Sequence, residues 1–534
     1  MSAAHRSNRA GRSNWTIPRT LAVAAAIVLA AVTTLLSTRD VGLTQGLVPV
    51  ASASPEAHWR YLLEDNYDRQ AYMMRGRWIV SDGTPYLEEF SEYPQLQTLW
   101  MGVPWLFLDH GVLPGEPHTT VARTRAYFAE LGLSEQLTDL MVERVEGAVR
   151  DRVPLESVMS EARKHAAQWP PQLIAEQAGA ARQLRLLYDA YERRHQEYLA
   201  NVIGYGNAHH ALMAGWWLAL IAVLAVLLRQ LGRSPAWALL MLLPSTLYYG
   251  FNRGDLPVVT SLMLAVTLYL RDRRTAGAAV IGFAGMLKWF PLFVFPLFLS
   301  WGLQRARRQD PERSWSSLIL TEVVRPGAIA GVIVVACLGM TYVWDDGGWE
   351  AVRFVFEWHL DRPLNHASVL SLLCNPDAWG LLPPESVEVL SKVFLAIQLG
   401  TPLLLALLPM RKPEQLLTSL SLAVGVMIVF SKFFSPQWML WLLATSTPLL
   451  VHSRWLLGTL LALQVALYLQ LPVAIYERGV DPVAAIGSGL FAVATNLRVA
   501  LFVLAIGILM AHLPRPWRRL ELPASPEAVG GSGS

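Results

Sequence analysis

DNYDRQAYMMRGRWIVSDGTPYLEEFSEYPQLQTLWMGVPWL, running from Asp65 to Leu106, sets the carboxylates of Asp65, Asp68, Asp82, Glu88, Glu89 and Glu92 among arginines and tyrosines, then passes through Tyr93-Pro94 into an apolar run. An apolar segment, 21–36, comes before it and a long series of others follows. Ionisable groups are costly inside a bilayer and collect at its wet boundary or in a bundle interior. A polar stretch pinned there is where a membrane protein can do chemistry, so the segments around it fix its side and its role.

Composition sets the class. The 534 residues are 53% hydrophobic and 16% charged, with a mean hydropathy of +0.34, far more apolar and less charged than a soluble chain. The chain is therefore expected to be all-α, a polytopic transmembrane helical bundle. Its net charge of +3 is spread over loops with no basic and aromatic patch, which argues against nucleic acid. Two cysteines, Cys337 in an apolar span and Cys374 in a loop, offer neither a disulfide framework nor a thiolate metal site.

Arg6, Arg9, Arg12 and Arg19 precede the first span, so the positive-inside rule keeps the N-terminus cytoplasmic and the polar stretch outside. Ala51-Ser52-Ala53 offers a signal-peptidase pattern as the alternative, at an unusually long interval from the span. Further apolar runs lie at about 212–228, 237–249, 256–270, 276–287, 290–303, 328–343, 393–408, 416–430, 438–450, 456–471 and 499–513. Arginine collects in alternate loops, at 229–233, 271–274, 305–325, 411–412 and 454 and in the tail at 515–519. Threading the runs between those loops predicts twelve crossings with both termini inside.

The run 96–108 holds Pro104 and is too short to cross unaided, so it is expected to be interfacial or re-entrant. The resulting division is a cytoplasmic tail (1–20), a first span with its extracytoplasmic loop (21–110), a helical insertion (111–210), a transmembrane domain (211–514) and a flexible cytoplasmic tail (515–534). In the insertion, Leu137, Leu140, Met141, Val145 and Val149 recur at helical spacing, as in a solvated cap over a membrane domain.

Ionisable groups from separate places share the outer face in this threading: Asp65, Asp68 and Glu92, then Arg253 and Asp255 in GFNRGD, Lys288 in MLKWFP, His359, Asp361 and Arg362 in HLDRPLNHAS, Lys432, and Arg498. Lys288 interrupts a run whose two ends both adjoin arginine-rich loops, which predicts a hairpin with Lys288 and Pro291 at its tip. Each group also has a plain structural role open to it. Arginine and lysine snorkel at span ends, Asp255 stands where a helix N-cap belongs, and His359 has Glu357 and Asp361 beside it. Trp59, Trp78, Trp100 and Trp105 suit interfacial anchoring better than sugar stacking.

Together these pieces resemble the polyprenol-phosphate-mannose-dependent mannosyltransferases of glycosyltransferase family eighty-seven, membrane enzymes of the GT-C fold. The resemblance rests on Asp68-x-x-x-Tyr72, Gly83-Thr84-Pro85-Tyr86 and Glu92-Tyr93-Pro94; on Gly250 to Asp255; on Arg273-Arg274 leading to Lys288-x-x-Pro291; on His359 to Ser368; and on Phe434-Ser435-Pro436-Gln437-Trp438. The chain departs from that pattern at Gln95 and Phe251 and in the insertion.

The resemblance implies an inverting transfer of a sugar, mannose first, from a polyprenyl-phosphate donor to a lipid or glycan acceptor at the outer face of a bacterial plasma membrane. Carried onto this sequence, it makes Asp68 the base, with Asp65, Glu92 and Asp40 in reserve. It makes His359, Lys288, Arg253, Arg362 and Arg498 the cations for the leaving phosphate, whose growing charge needs fixed positive partners. The first-loop carboxylates would suit a divalent metal without demanding one. A transporter or flippase of lipid-linked saccharides would also need intramembrane cations but not a carboxylate-rich first loop, and in a noncatalytic envelope scaffold, with the insertion as docking arm, substitution of Asp68 would be harmless.

Overall fold

The computed structural model of the chain describes residues 16–37, 72–73, 75–77, 79, 94–108, 118–150, 153–164, 171–345, 347–362, 364–365, 367–474 and 486–513. Asp40, Asp65, Asp68 and Glu92 lie outside them, as do most of both tails. Every regular element among the described residues is helical.

Helix α1 (Ile17–Ser37) lies against α3 (Gln177–Gln230), a 54-residue helix with two characters. Its first half presents Leu184, Leu187 and Tyr191 to a small core built with Val121, Phe128, Val142, Val145 and Val149 from helices His118–Glu130 and Glu135–Arg150. Its second half buries Met213, Trp217, Leu220 and Leu224 in the main core. One continuous helix thus runs through residue 210, joining cap and membrane domain. The cap stripe agrees with the expected one at Val145 and Val149 and differs at its start. Thr138, Val142, Val145 and Val149 turn inward, while Leu137 and Leu140 are exposed.

Between α1 and α3 in sequence lies α2 (Gln95–Gly102), continued by a 3-10 turn, Val103–Phe107. Eight helical residues reach about 12 Å, too short to cross, and Leu106 and Phe107 are exposed at its end. Trp105 is buried and donates its indole N–H to the Met73 carbonyl at 2.9 Å, so this ring is core rather than an interfacial anchor.

The expected span 237–249 is broken. A 3-10 helix, Pro235–Leu242, gives way at Pro244 to α4 (Pro244–Asn252), because proline can open a helix but not continue one. Helix α5 (Leu256–Leu270) then leaves α4 at 110°. Next come α6 (Arg274–Leu287), α7 (Phe295–Gln309) and α8 (Arg325–Trp344), the last continuous with the apolar stretch from Trp315. Helix α9 (Trp349–Asp361) leads to α10 (Val387–Ala406) and α11 (Pro413–Val429). A 3-10 turn, Pro436–Trp438, opens α12 (Met439–Ser446), and α13 (Arg454–Tyr468) and α14 (Gly489–Ala511) complete the bundle.

Five helices among the described residues are long and apolar enough to span a membrane, or six if α4 and α5 form one bent span. That is an all-α membrane fold, with fewer uninterrupted spans than the twelve runs in the sequence suggest. Prolines 244, 296 and 448 divide runs into shorter pieces.

The bundle has two distinct ends. At one, Asp272 pairs with Arg274 at 3.1 Å and Arg305 at 2.7 Å, and Arg274 pairs with the buried Glu322. These pairs bring the start of α6 to the end of α7, closing the base of the expected hairpin. Helices α6 and α8 both start from this base, and Gly282 of α6 lies on Ala330 of α8, so they run side by side to the far end. There α6 reaches Lys288 and α8 reaches Asp345.

Candidate functional site

The far end is organised around Asp255, at the bend between α4 and α5. Its side chain has no solvent exposure. Lys288 Nζ donates to both carboxylate oxygens, at 2.9 and 3.0 Å, and the Trp441 indole N–H donates to Oδ1 at 2.9 Å. The carboxylate makes no capping bond to its own helix, contrary to the expected N-cap role. A buried charge must be paired and hydrogen-bonded to persist, and this one takes three bonds from two separate parts of the chain. Lys288 can reach it because α6 ends at Leu287 and Lys288 itself is extended before Pro291 restarts a helix.

Trp441 is fixed by aromatic packing. Phe290 stacks on it at 3.8 Å and Trp438 at 5.3 Å, and Lys288 Nζ lies 5.4 Å from its ring centre. Trp438 belongs to the FSPQW turn, whose Phe434 carries the contact onward to Arg498. The Arg498 guanidinium is fully buried 3.6 Å over the Phe434 ring, donating to Gln470 Oε1 at 3.1 Å and to the Ala367 carbonyl. Arg362 sits 3.5 Å over Phe433, Lys432 donates to the Leu360 carbonyl, and the Asn365 N–H donates to the Lys432 carbonyl at 3.3 Å.

The loop from 431 to 441 is therefore a bridge. At one end it holds Asp255 and Lys288; at the other it holds Arg362 and Arg498. His359 lies in the last turn of α9, half-buried, three residues before Arg362, while its neighbour Glu357 pairs with Arg353. Arg253 is half-buried in the bend itself.

Two described pieces of the polar stretch 65–106 lie toward this bend. Pro94 opens α2, whose Gln97 lies over Gly254 so closely that a Cβ there would fall well inside contact distance of the amide. That glycine permits the approach. In the other piece, Tyr72 meets His209 at 6.1 Å, His209 meets His210 at 6.0 Å, and His210 meets Phe251 at 6.0 Å edge-on. The buried Gln97 Oε1 and Gln437 Oε1 have no hydrogen-bond partner. A buried acceptor left unmade costs about 1–3 kcal/mol, which marks these amides as places where a polar ligand would be stabilised.

Of the cations picked out by sequence reasoning, Lys288 meets Trp441, Arg362 meets Phe433 and Arg498 meets Phe434, while Arg253 lies in the bend and His359 in the last turn of α9. That reasoning did not find Trp441, Gln97, Gln437 or the His209-His210 pair. Trp441 stands three residues after Trp438, a spacing that stacks two rings on one helix face, and that was the available signal. Among the described residues no three histidine, cysteine, aspartate or glutamate side chains are placed to hold a metal. Asp65, Asp68 and Glu92 are outside that set.

Residues 251–512 match the family described as Mannosyltransferase (PIG-M). The match begins at the bend and ends just beyond α14, taking in Arg253, Asp255, Lys288, the FSPQW turn and Arg498. It leaves out α2, the cap and the first loop. With the apolar helices, the mannosyltransferase match supports a multi-pass membrane mannosyltransferase. The chain has no significant match among curated proteins or solved structures.

Proposed function

We propose that the chain transfers mannose from a polyprenyl-phosphate donor to a hydroxyl of a cell-envelope glycolipid or glycan, in the manner of glycosyltransferase family eighty-seven. What supports this reading is that Gln97, just after the acidic stretch, lies on Gly254, and that Tyr72 is linked through His209 and His210 to Phe251, at the bend where the mannosyltransferase match begins. Asp68 lies four residues before Tyr72, and Glu92 two before Pro94.

In this mechanism Asp68 takes the proton of the acceptor hydroxyl, with Asp65 and Glu92 as the neighbouring carboxylates. The acceptor oxygen attacks the anomeric carbon, and the polyprenyl phosphate leaves from the opposite face with inversion. Lys288 and Arg253 meet the developing phosphate charge from the bend. His359, Arg362 and Arg498 meet it, or the diffuse charge around it, from the other end of the FSPQW bridge. The Asp255 carboxylate holds the Lys288 ammonium in place for this. The proposed setting is a bacterial plasma membrane crossed twelve times, with both termini cytoplasmic, the arginine-rich base inside and the site outside.

The test uses membranes containing the chain and a crude envelope-lipid acceptor pool, supplied with labelled mannose on a polyprenyl phosphate or on a nucleotide. Label moving to lipid from the polyprenyl donor alone is expected. Transfer from the nucleotide donor alone, with polyprenyl-phosphate synthesis blocked, would overturn the reading.

A further inference from the structure

Helix α2 faces two ways. Gln97 looks toward Gly254 and the Asp255–Lys288 pair, whereas Gln95, Thr98 and Leu99, at helical spacing i, i+3 and i+4, share the opposite face. That face meets the end of α8 across a narrow crevice completed by Thr341, Trp344 and Asp345. Gln95 is 2% exposed, and neither its amide nitrogen nor its oxygen has a hydrogen-bond partner. Asp345 is equally buried, with Oδ1 accepting the Gly347 N–H at 3.0 Å. Trp344 stands at the rim, 37% exposed.

We propose that this crevice receives a hydroxyl of the saccharide acceptor, an assignment that rests on the transferase reading for the identity of the acceptor but not for the binding itself. The walls offer a donor in the Gln95 amide nitrogen and acceptors in the Gln95 oxygen, Asp345 and the Thr341 oxygen, whose proton goes to the Cys337 carbonyl. A hydroxyl, which both donates and accepts, satisfies that set. A phosphate would be repelled by Asp345, a lipid tail would leave the Gln95 amide unmet, and a divalent cation would find no second carboxylate among the described lining residues. The space is about 10 Å³, room for one hydroxyl or water rather than a ring. The ring of the sugar then lies outside, against the half-exposed Trp344 indole, an apolar face suited to sugar C–H groups. On the other side of the same helix Gln97 lies over Gly254, next to Asp255 in the chain.

The experiment measures binding of methyl α-mannopyranoside, and of its permethylated analogue, to the detergent-purified full chain by saturation-transfer difference NMR. Wild type is compared with Gln95→Leu and Asp345→Asn. The glycoside should bind saturably, the analogue with no free hydroxyl should not compete, and each variant should weaken binding about tenfold or more, the scale of one lost buried hydrogen bond. Asp345→Asn keeps an oxygen for the Gly347 N–H, so it carries the test should Gln95→Leu fail to fold. Equal binding by wild type and variants, or no binding by wild type, overturns the proposal. Failure of the transferase reading would look different: no mannosyl transfer from any donor, with binding and its dependence on Gln95 and Asp345 intact.

Discussion

Asp255 shares one buried carboxylate between an ammonium 33 residues ahead in the chain and an indole 186 residues ahead. Removing the ammonium while keeping the carboxylate strands a buried charge, so Lys288→Met should lower stability by about 3–5 kcal/mol. Replacing both partners, in Asp255→Leu with Lys288→Met, should recover much of that loss, because two apolar side chains carry no such penalty. Denaturant melts of the detergent-purified variants check both values, and a double variant no better than the single would refute the account of the pair. Trp441→Phe keeps the stack on Phe290 and deletes the N–H; it should cost about 1.5–3 kcal/mol in the same melts, the worth of a hydrogen bond to a charged group. Lys288 was legible in the sequence because a charge interrupts an apolar run. Its partner was not, since Asp255 precedes Leu256-Pro257 at the head of a helix and capping is the local use of a carboxylate there. Only the fold brings Lys288 close enough to compete.

At the scale of elements, the bend between α4 and α5 is what turns GFNRGD into a site. Gly250 is packed face to face with the fully buried Trp217 indole, and a Cβ there would fall well inside contact distance of that rigid ring. Gly250→Ala should therefore destabilise by about 1–3 kcal/mol through overpacking, measured by thermal melting. Loss-free accommodation would mean that α3 and α4 are not packed as described. The opposite end depends on Arg274 and Glu322, and Glu322→Leu removes the buried partner of Arg274 while leaving Asp272 to it, so it should cost about 1.5–3 kcal/mol in the same melts. The sequence predicted the α6–α7 hairpin through its two arginine-rich ends. It did not predict how Pro244 and Pro448 would break their runs, because hydropathy counts apolar residues and is blind to missing N–H groups. The inward face of the cap helix was read correctly at Val145 and Val149 but not at its start, where Leu137 and Leu140 fit the period as well as Thr138 and Val142 do.

At the scale of the whole molecule, an ion-paired base and a polar far end are joined by parallel helices, and the far end gathers residues from the bend, the Lys288 turn, the FSPQW bridge and α14. The class, an all-α membrane protein, was written in composition, and the mannosyltransferase match agrees with the chemistry read from the motifs. The base is the part that only an experiment on activity can reach. Mannosyl transfer should be measured in membranes with labelled polyprenyl-phosphate-mannose for wild type and Asp68→Asn at matched expression. The account predicts robust transfer by wild type and a fall of about 10² to 10⁴ in the variant, the usual worth of a general base; equal transfer by the two proteins would contradict it.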